Sequence, residues 1–431
     1  MSKSIWSSLN EYPKTNILDK NMKCDVLVIG GGICGVLITY MLSKNKVDTI
    51  LVEKNKLGSG ITKNTTAVLS AQQEILYKDR IKKTNADKAK MFYNANMMAI
   101  EEFDNLSKEY SFEFERISSY IYNKNKDNEL KEEYEVLKDL GIDAYYHEID
   151  LPFNAVDAIE FKNQAQINPL KLINELSHVI DYYDNTEIID IRGNKAFTNG
   201  GNEIEFNKVI YATHFPPFKL KGLFSLKMYQ KKSYVISFQT DNIIKDSYVG
   251  MTDDNIYSRS YKNYLLVGAN DIKTGCKNQA FKTVEKYIKS NYVDYKITHK
   301  WINQDCITLD DMPYIGKISE NEFVATGFNM WGMTSSMISA VLIKDLITNN
   351  KNEYEKLFNP KRVMYMPQLF KNIWNAIKGI VSLKTPRCPH LGSKLVYMDA
   401  DGTYECPCHG SKFDGDGDII TNPSKKSIKT E

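Results

Sequence analysis

Three glycines, Gly30, Gly32 and Gly35, spell G-x-G-x-x-G directly after the apolar run 24–29 (CDVLVI) and directly before a second apolar run, 36–42. That spacing gives a tight turn at the first glycine, close approach of backbone to a pyrophosphate at the second, and close helix–strand packing at the third. The helix N-terminus that follows offers unpaired amides and the positive end of its dipole. Residues 49–52 predict the next strand. Glu53, 21 positions after Gly32, ends it where a carboxylate can accept hydrogen bonds from a ribose diol. Strand, turn, helix and acid in this order predict a βαβ unit that binds a dinucleotide. The run 26–42 is the longest apolar stretch, but four glycines interrupt its 17 residues. It falls short of the roughly 20 that a bilayer asks for, so no transmembrane segment is expected. No second G-x-G-x-x-G follows a later strand, which leaves tightly held FAD, or NAD alone.

At about 100 to 200 residues per domain, 431 residues make several units. The 56 basic and 54 acidic side chains leave a net charge of +2, so no positive field exists to collect phosphates and no nucleic-acid partner is expected. Residues 1–12 (MSKSIWSSLNEY) lack the apolar core of a secretory signal, and a cytoplasmic location is expected. Apolar positions at helical spacing predict an amphipathic helix over 86–110. Between about 111 and 310, β-rich runs such as 234–238 and 264–267 predict an antiparallel sheet. A strand at 323–325 and a helix at 335–347 follow the same logic. Leu369, Ile373, Ile377 and Ile380 suggest a helical, docked connector.

Of seven cysteines, Cys24, Cys34, Cys276 and Cys306 are scattered, whereas Cys388, Cys406 and Cys408 crowd the C-terminal region beside two of the six histidines. The pattern there is C-x-H, 15 residues, then C-x-x-H. Two thiolates and two imidazoles suit either zinc or a [2Fe–2S] cluster.

The ordered stretches VIGGGICG, LVEKNKLGSGITKNTTAVLS, VIYATHFP, DDMPYIG and FVATGFNMWGMT make residues 24–362 resemble the FAD-dependent amine and amino-acid oxidoreductases of the D-amino-acid oxidase/glycine oxidase superfamily. The resemblance implies an α/β, Rossmann-like FAD-binding domain with an inserted antiparallel-sheet substrate domain. Within an oxidoreductase unit of 20–365, the FAD-binding segments would be about 20–76, 160–220 and 305–350, and the substrate-domain segments about 77–160 and 221–305. It also implies that Thr62, Thr65, Thr66 and Ala67 lie against the flavin, with Thr213 beneath it. Gly327, Gly332, Met333 and Thr334 would lead a helix N-terminus toward the ring, where its dipole stabilises negative charge.

CPHLG, CPCHGS, Phe413-Asp414 and Asp416-Gly417 resemble the Rieske signature in order and spacing. This implies a small C-terminal β domain, 386–431, after a connector at 366–385, with Cys388, His390, Cys406 and His409 as cluster ligands. Ser393 stands where many Rieske domains carry a cysteine that pairs with the position of Cys408, so Cys408 is expected to be a free thiol. So short a unit is expected to depend on cluster loading and on packing against the flavin domain.

Amino-acid oxidases of the superfamily clamp the substrate carboxylate with an arginine just before D-x-x-P-Y-I-G. Here no arginine lies between Arg259 and Arg362, and Asp305 stands near that place. A carboxylate attracts an ammonium group, so Asp305 is expected to favour an amine substrate; Arg259 could still hold a carboxylate from another direction, although on a β-rich run it is expected to be exposed or paired. His214, directly after Ala212-Thr213, is the other candidate for contact with substrate or flavin. The remaining histidines stand isolated, which disfavours the 2-His-1-carboxylate iron site of an oxygenase. The expected protein is a flavin-dependent dehydrogenase of an amine or amino-acid-like C–N substrate. Its electrons would leave one at a time through the cluster to an external acceptor, a protein or a quinone. The alternative is a relay between protein partners with no small-molecule substrate of its own.

Overall fold

A computed structural model of the chain describes residues 3–73, 76–125, 128–148, 155–216, 222–251, 255–277, 280–362, 386–399 and 401–429. The expected connector helix, with Leu369, Ile373, Ile377 and Ile380, lies outside them.

The first sheet is built around five parallel strands in the order Glu322–Thr326, Glu203–Tyr211, Met22–Ile29, Thr49–Val52 and Tyr182–Tyr183. Tyr314–Lys317 adds an antiparallel edge to the first of these. Val26–Ile29 and Thr49–Val52 are buried at every position, as strands covered on both faces must be. The helices Ile33–Lys44 and Gly332–Ile347 supply apolar cover and share one core with these strands.

The second sheet has nine strands. It differs from the expected antiparallel sheet in one pairing, because Ser247–Gly250 runs parallel to Glu115–Asn123. The reason is the chain path. The halves 115–166 and 228–308 each pair antiparallel internally, and the segment between them passes through the first sheet before returning. The helix expected over 86–110 runs Ala86–Ser107, capped by the Asn85 side chain accepting from Lys88 N at 2.9 Å. Its face of Phe92, Ala99, Phe103 and Leu106 is buried. A third, four-stranded antiparallel sheet (Val396–Met398, Thr403–Glu405, Lys412–Phe413, Ile419–Thr421) carries the cysteine–histidine loops.

Candidate cofactor, substrate and cluster sites

At the tip of Met22–Ile29 the chain turns through Gly30 with φ 110°, a value that L side chains rarely adopt. A Cβ there would also lie 2.4 Å from the Ala212 carbonyl oxygen. The Glu53 carboxylate accepts from Gly31 N at 2.7 Å and Asn55 N at 2.9 Å; burial raises its pKa, and these two amides oppose the rise. Thr62 Oγ1 accepts from Ile33 N at 3.0 Å, capping the helix from another loop. Among the described residues the amides of Gly32 and Cys34 donate to nothing, and the buried hydroxyls of Thr213 and Thr334 lack partners. These unpaired groups, together with a glycine turn that a side chain would fill, fit a dinucleotide.

A cleft opens between residues 64–68, the strands Ser247–Gly250 and Tyr257–Tyr261, and residues 330–333. Thr65, Thr66, Ala67, Gly332 and Met333 therefore share one cavity with Trp331 of the WGMT stretch and with groups the sequence did not single out: Tyr248, Tyr257, Ser247 and Asn303. Asn303 Oδ1 and Ser247 Oγ are buried without a hydrogen-bond partner, which is costly unless a ligand supplies one. Ala67 (φ 59°), Asn329 (53°) and Met330 (70°) hold left-handed backbone around the cavity, strain of the kind that collects at functional sites. Arg259 is buried rather than exposed, and among the described residues its partners are backbone carbonyls. It is 1% exposed and lines the cleft, with Nη1 donating to the carbonyls of Thr66 (2.7 Å) and Ala67 (2.9 Å). Burial pulls its guanidinium down to about 9.

The two C-terminal loops share one plan. Cys388 N donates to Ser393 O (2.8 Å) and Gly392 N to Cys388 O (2.8 Å); Cys406 N donates to Ser411 O (2.8 Å) and Gly410 N to Cys406 O (3.0 Å). Gly392 and Gly410 close them at φ 74° and 77°. Cys388 and Cys406 are buried in one cluster, and the rings of His390 and His409 lie 5.1 Å apart, nearly perpendicular. Both Nδ1 atoms are buried without a partner, while His409 Nε2 is 2.8 Å from Ser225 O. A donor at Nε2 leaves Nδ1 as the free lone pair of a neutral imidazole. Two thiols on one side and two imidazoles on the other suit a cluster whose irons take unlike ligands. Cys408 is a free thiol, its Sγ 3.3 Å from Ser393 Oγ.

This unit sits on the second sheet. Gln230 Nε2 donates to His409 O at 2.7 Å and Gln304 Nε2 to Gly410 O at 2.6 Å. Lys232 and Glu405, both 0% exposed, pair at 2.6 Å, and Gly275 N donates to the same carboxylate oxygen at 2.8 Å. The two residues assigned catalytic work from sequence are found here, and neither lines the cleft. His214 Nε2 is 3.3 Å from Gln230 Oε1, its Nδ1 3.6 Å from Asp305 Oδ1, and Asp305 accepts from Cys306 N at 2.7 Å. Asp305, expected to favour an ammonium group, has its carboxylate beside His214 and outside the residues that line the cleft.

Burial lowers His214 to about 4, against a hydrogen bond to Gln230 that acts the other way. The folded protein therefore binds this proton less tightly than the unfolded chain does. Its contribution is complete above pH 6.5 and is lost as pH falls toward 4. Urea unfolding at pH 7 and 4.5 is expected to show the wild type losing about 2 to 3 kcal/mol more than His214→Gln over that interval. Equal losses in the two proteins would refute this.

Residues 25–346 match the FAD dependent oxidoreductase family and residues 358–430 the Rieske [2Fe-2S] domain. The chain is 29% identical to the Rieske 2Fe-2S iron-sulfur protein YhfW of Bacillus subtilis (strain 168), over 99% of this chain and 97% of that one. It is 20% identical to gamma-glutamylputrescine oxidoreductase of Escherichia coli (strain K12), over 82% and 90% of the two chains. The crystal structure of glycine oxidase from Geobacillus kaustophilus superposes with a TM-score of 0.68 at 17% identity, covering 80% of this chain and all of that one. The chain belongs to the FAD dependent oxidoreductase family and carries a C-terminal Rieske domain. It is an FAD-dependent oxidoreductase with two prosthetic groups, FAD and a [2Fe–2S] cluster. No helix among the described residues is long and apolar enough to cross a membrane.

Proposed function

We propose that the protein is a dehydrogenase of an amine or amino-acid-like C–N substrate whose electrons leave one at a time through the cluster to an external acceptor. When bound, FAD supplies a two-electron acceptor and the [2Fe–2S] cluster a one-electron outlet. The observation that carries the enzymatic reading over a bare relay is the cleft with its unpartnered acceptors. Asn303 Oδ1 and Ser247 Oγ are positioned to take N–H groups, and Tyr248, Tyr257 and Trp331 offer aromatic surface to a cation. Arg259 Nη2 makes no hydrogen bond among the described residues and can meet a carboxylate.

The same geometry supports the electron path. Successive residues of a strand face opposite ways, and on Lys296–Thr308 Asn303 lines the cleft while its neighbour Gln304 holds the Gly410 carbonyl beside His409. One strand thus separates the two sites. In this reading Gly30, Gly32, Gly35 and Glu53 hold the dinucleotide, with Thr62, Thr65, Thr66, Ala67, Thr213, Gly327, Gly332, Met333 and Thr334 around the flavin. Cys388, His390, Cys406 and His409 ligate the cluster, and His214 and Asp305 belong to the junction between the sites.

Anaerobic mixing of the holoprotein with a panel of amines and amino acids tests this. Loss of visible flavin absorbance followed by the electron paramagnetic resonance signal of a reduced Rieske cluster is expected with at least one compound. Reduction only by a protein reductase would overturn the proposal in favour of the relay.

A further inference from the structure

Four consecutive carbonyls in the cleft-lining segment are each gripped by a side chain from elsewhere. Trp301 Nε1 donates to Asn64 O (2.8 Å), Trp6 Nε1 to Thr65 O (2.7 Å), and Arg259 Nη1 to Thr66 O (2.7 Å) and Ala67 O (2.9 Å). Trp6 comes from the short helix Ile5–Leu9, ahead of the glycine-rich unit and outside residues 25–346. It is 0% exposed, its ring edge-on to Tyr261 at 4.7 Å and 5.5 Å from the Arg259 guanidinium. Its ring belongs to the main hydrophobic core, and its one polar atom is spent on the cleft-lining segment.

The consequence follows from peptide geometry. In a trans peptide unit the C=O and the next N–H point in opposite directions. Fixing the carbonyls of Thr65 and Thr66 therefore fixes the amides of Thr66 and Ala67, which donate to nothing among the described residues. The left-handed Ala67 would relax without such a hold, since an L side chain disfavours that conformation. We propose that Trp6, Arg259 and Trp301 are positioning residues that present the Thr66 and Ala67 N–H groups to the flavin. The proposal rests on the reading that FAD occupies this cleft, and it makes the N-terminal segment a working part of the cofactor site.

Trp6→Phe keeps an aromatic ring on Tyr261 and removes the indole N–H. FAD released on dilution of the purified holoprotein, followed by free-flavin fluorescence, is expected to show about tenfold weaker retention, as loss of one buried hydrogen bond implies. The visible circular dichroism of bound flavin should change, amide hydrogen exchange over 64–68 should quicken, and the cluster's paramagnetic signal should stay as in the wild type. Wild-type retention, dichroism and exchange in Trp6→Phe would overturn the clamp. Trp301→Phe removes the neighbouring grip from the opposite side and must give the same signature; if Trp6→Phe does not fold, that variant decides. A wild-type protein that holds no FAD would instead sink the cofactor reading, and hydrogen exchange would still test the clamp.

Discussion

Replacing Lys232 by methionine is expected to lower stability by about 3 to 5 kcal/mol and to release the C-terminal unit to proteases. The ammonium is the partner at 2.6 Å of a carboxylate that is itself 0% exposed. Burial pulls the Lys232 pKa down and Glu405 opposes that pull. Removing the lysine leaves Glu405 with the Gly275 amide and with Lys412, whose Nζ is 3.6 Å away. Neither replaces the ammonium at 2.6 Å, and a buried carboxylate that loses its near partner costs far more than an intact pair contributes. By the same reasoning Lys232→Met combined with Glu405→Leu should recover most of the loss, because two apolar groups of similar volume remove both desolvation penalties. Urea unfolding and timed proteolysis of the holoproteins check both statements. A single variant within about 1 kcal/mol of wild type would show that the pair contributes nothing to docking.

Gly35→Ala is expected to abolish retention of FAD and to cost about 3 kcal/mol or more. A Cβ at this position would lie 1.9 Å from the Gly30 carbonyl oxygen and 3.1 Å from its carbon. Both atoms are backbone, held by Gly30 N donating to Val52 O at 2.8 Å, so no side chain can rotate aside. The helix Ile33–Lys44 must back away from its strand, which spoils the packing of Val36 and Leu37 and shifts the amides of the turn together. Flavin content per chain after desalting, with the unfolding midpoint, measures the effect. A variant that keeps a full complement of FAD at wild-type stability would refute it.

These two sites differ in how visible they are in the sequence. The glycine turn is legible because its demands are local: three glycines, one strand before, one helix after. The two C-terminal loops are legible for the same reason, their donors being fixed by spacing within each loop. The Lys232–Glu405 pair is not. In QKKSYVISF a lysine at an alternating strand position reads as solvated, and only a second unit laid over that face turns it inward. The contact of Asp305 with His214 is not legible either, since 91 positions separate the two in the chain. The clamp on residues 64–67 draws on positions 6, 259 and 301, and no window of sequence contains all three. Asn303 and Ser247 could have been suspected only from the face each strand presents, which depends on a register set by the whole sheet.

The contact between Cys408 and Ser393 has a practical consequence. Loops that brace such clusters with a disulfide carry a bond that thiol reductants cleave, whereas here the bracing contact is a thiol against a hydroxyl at 3.3 Å. Dithiothreitol has nothing to break at that point, so strongly reducing buffer leaves this contact between the two loops intact.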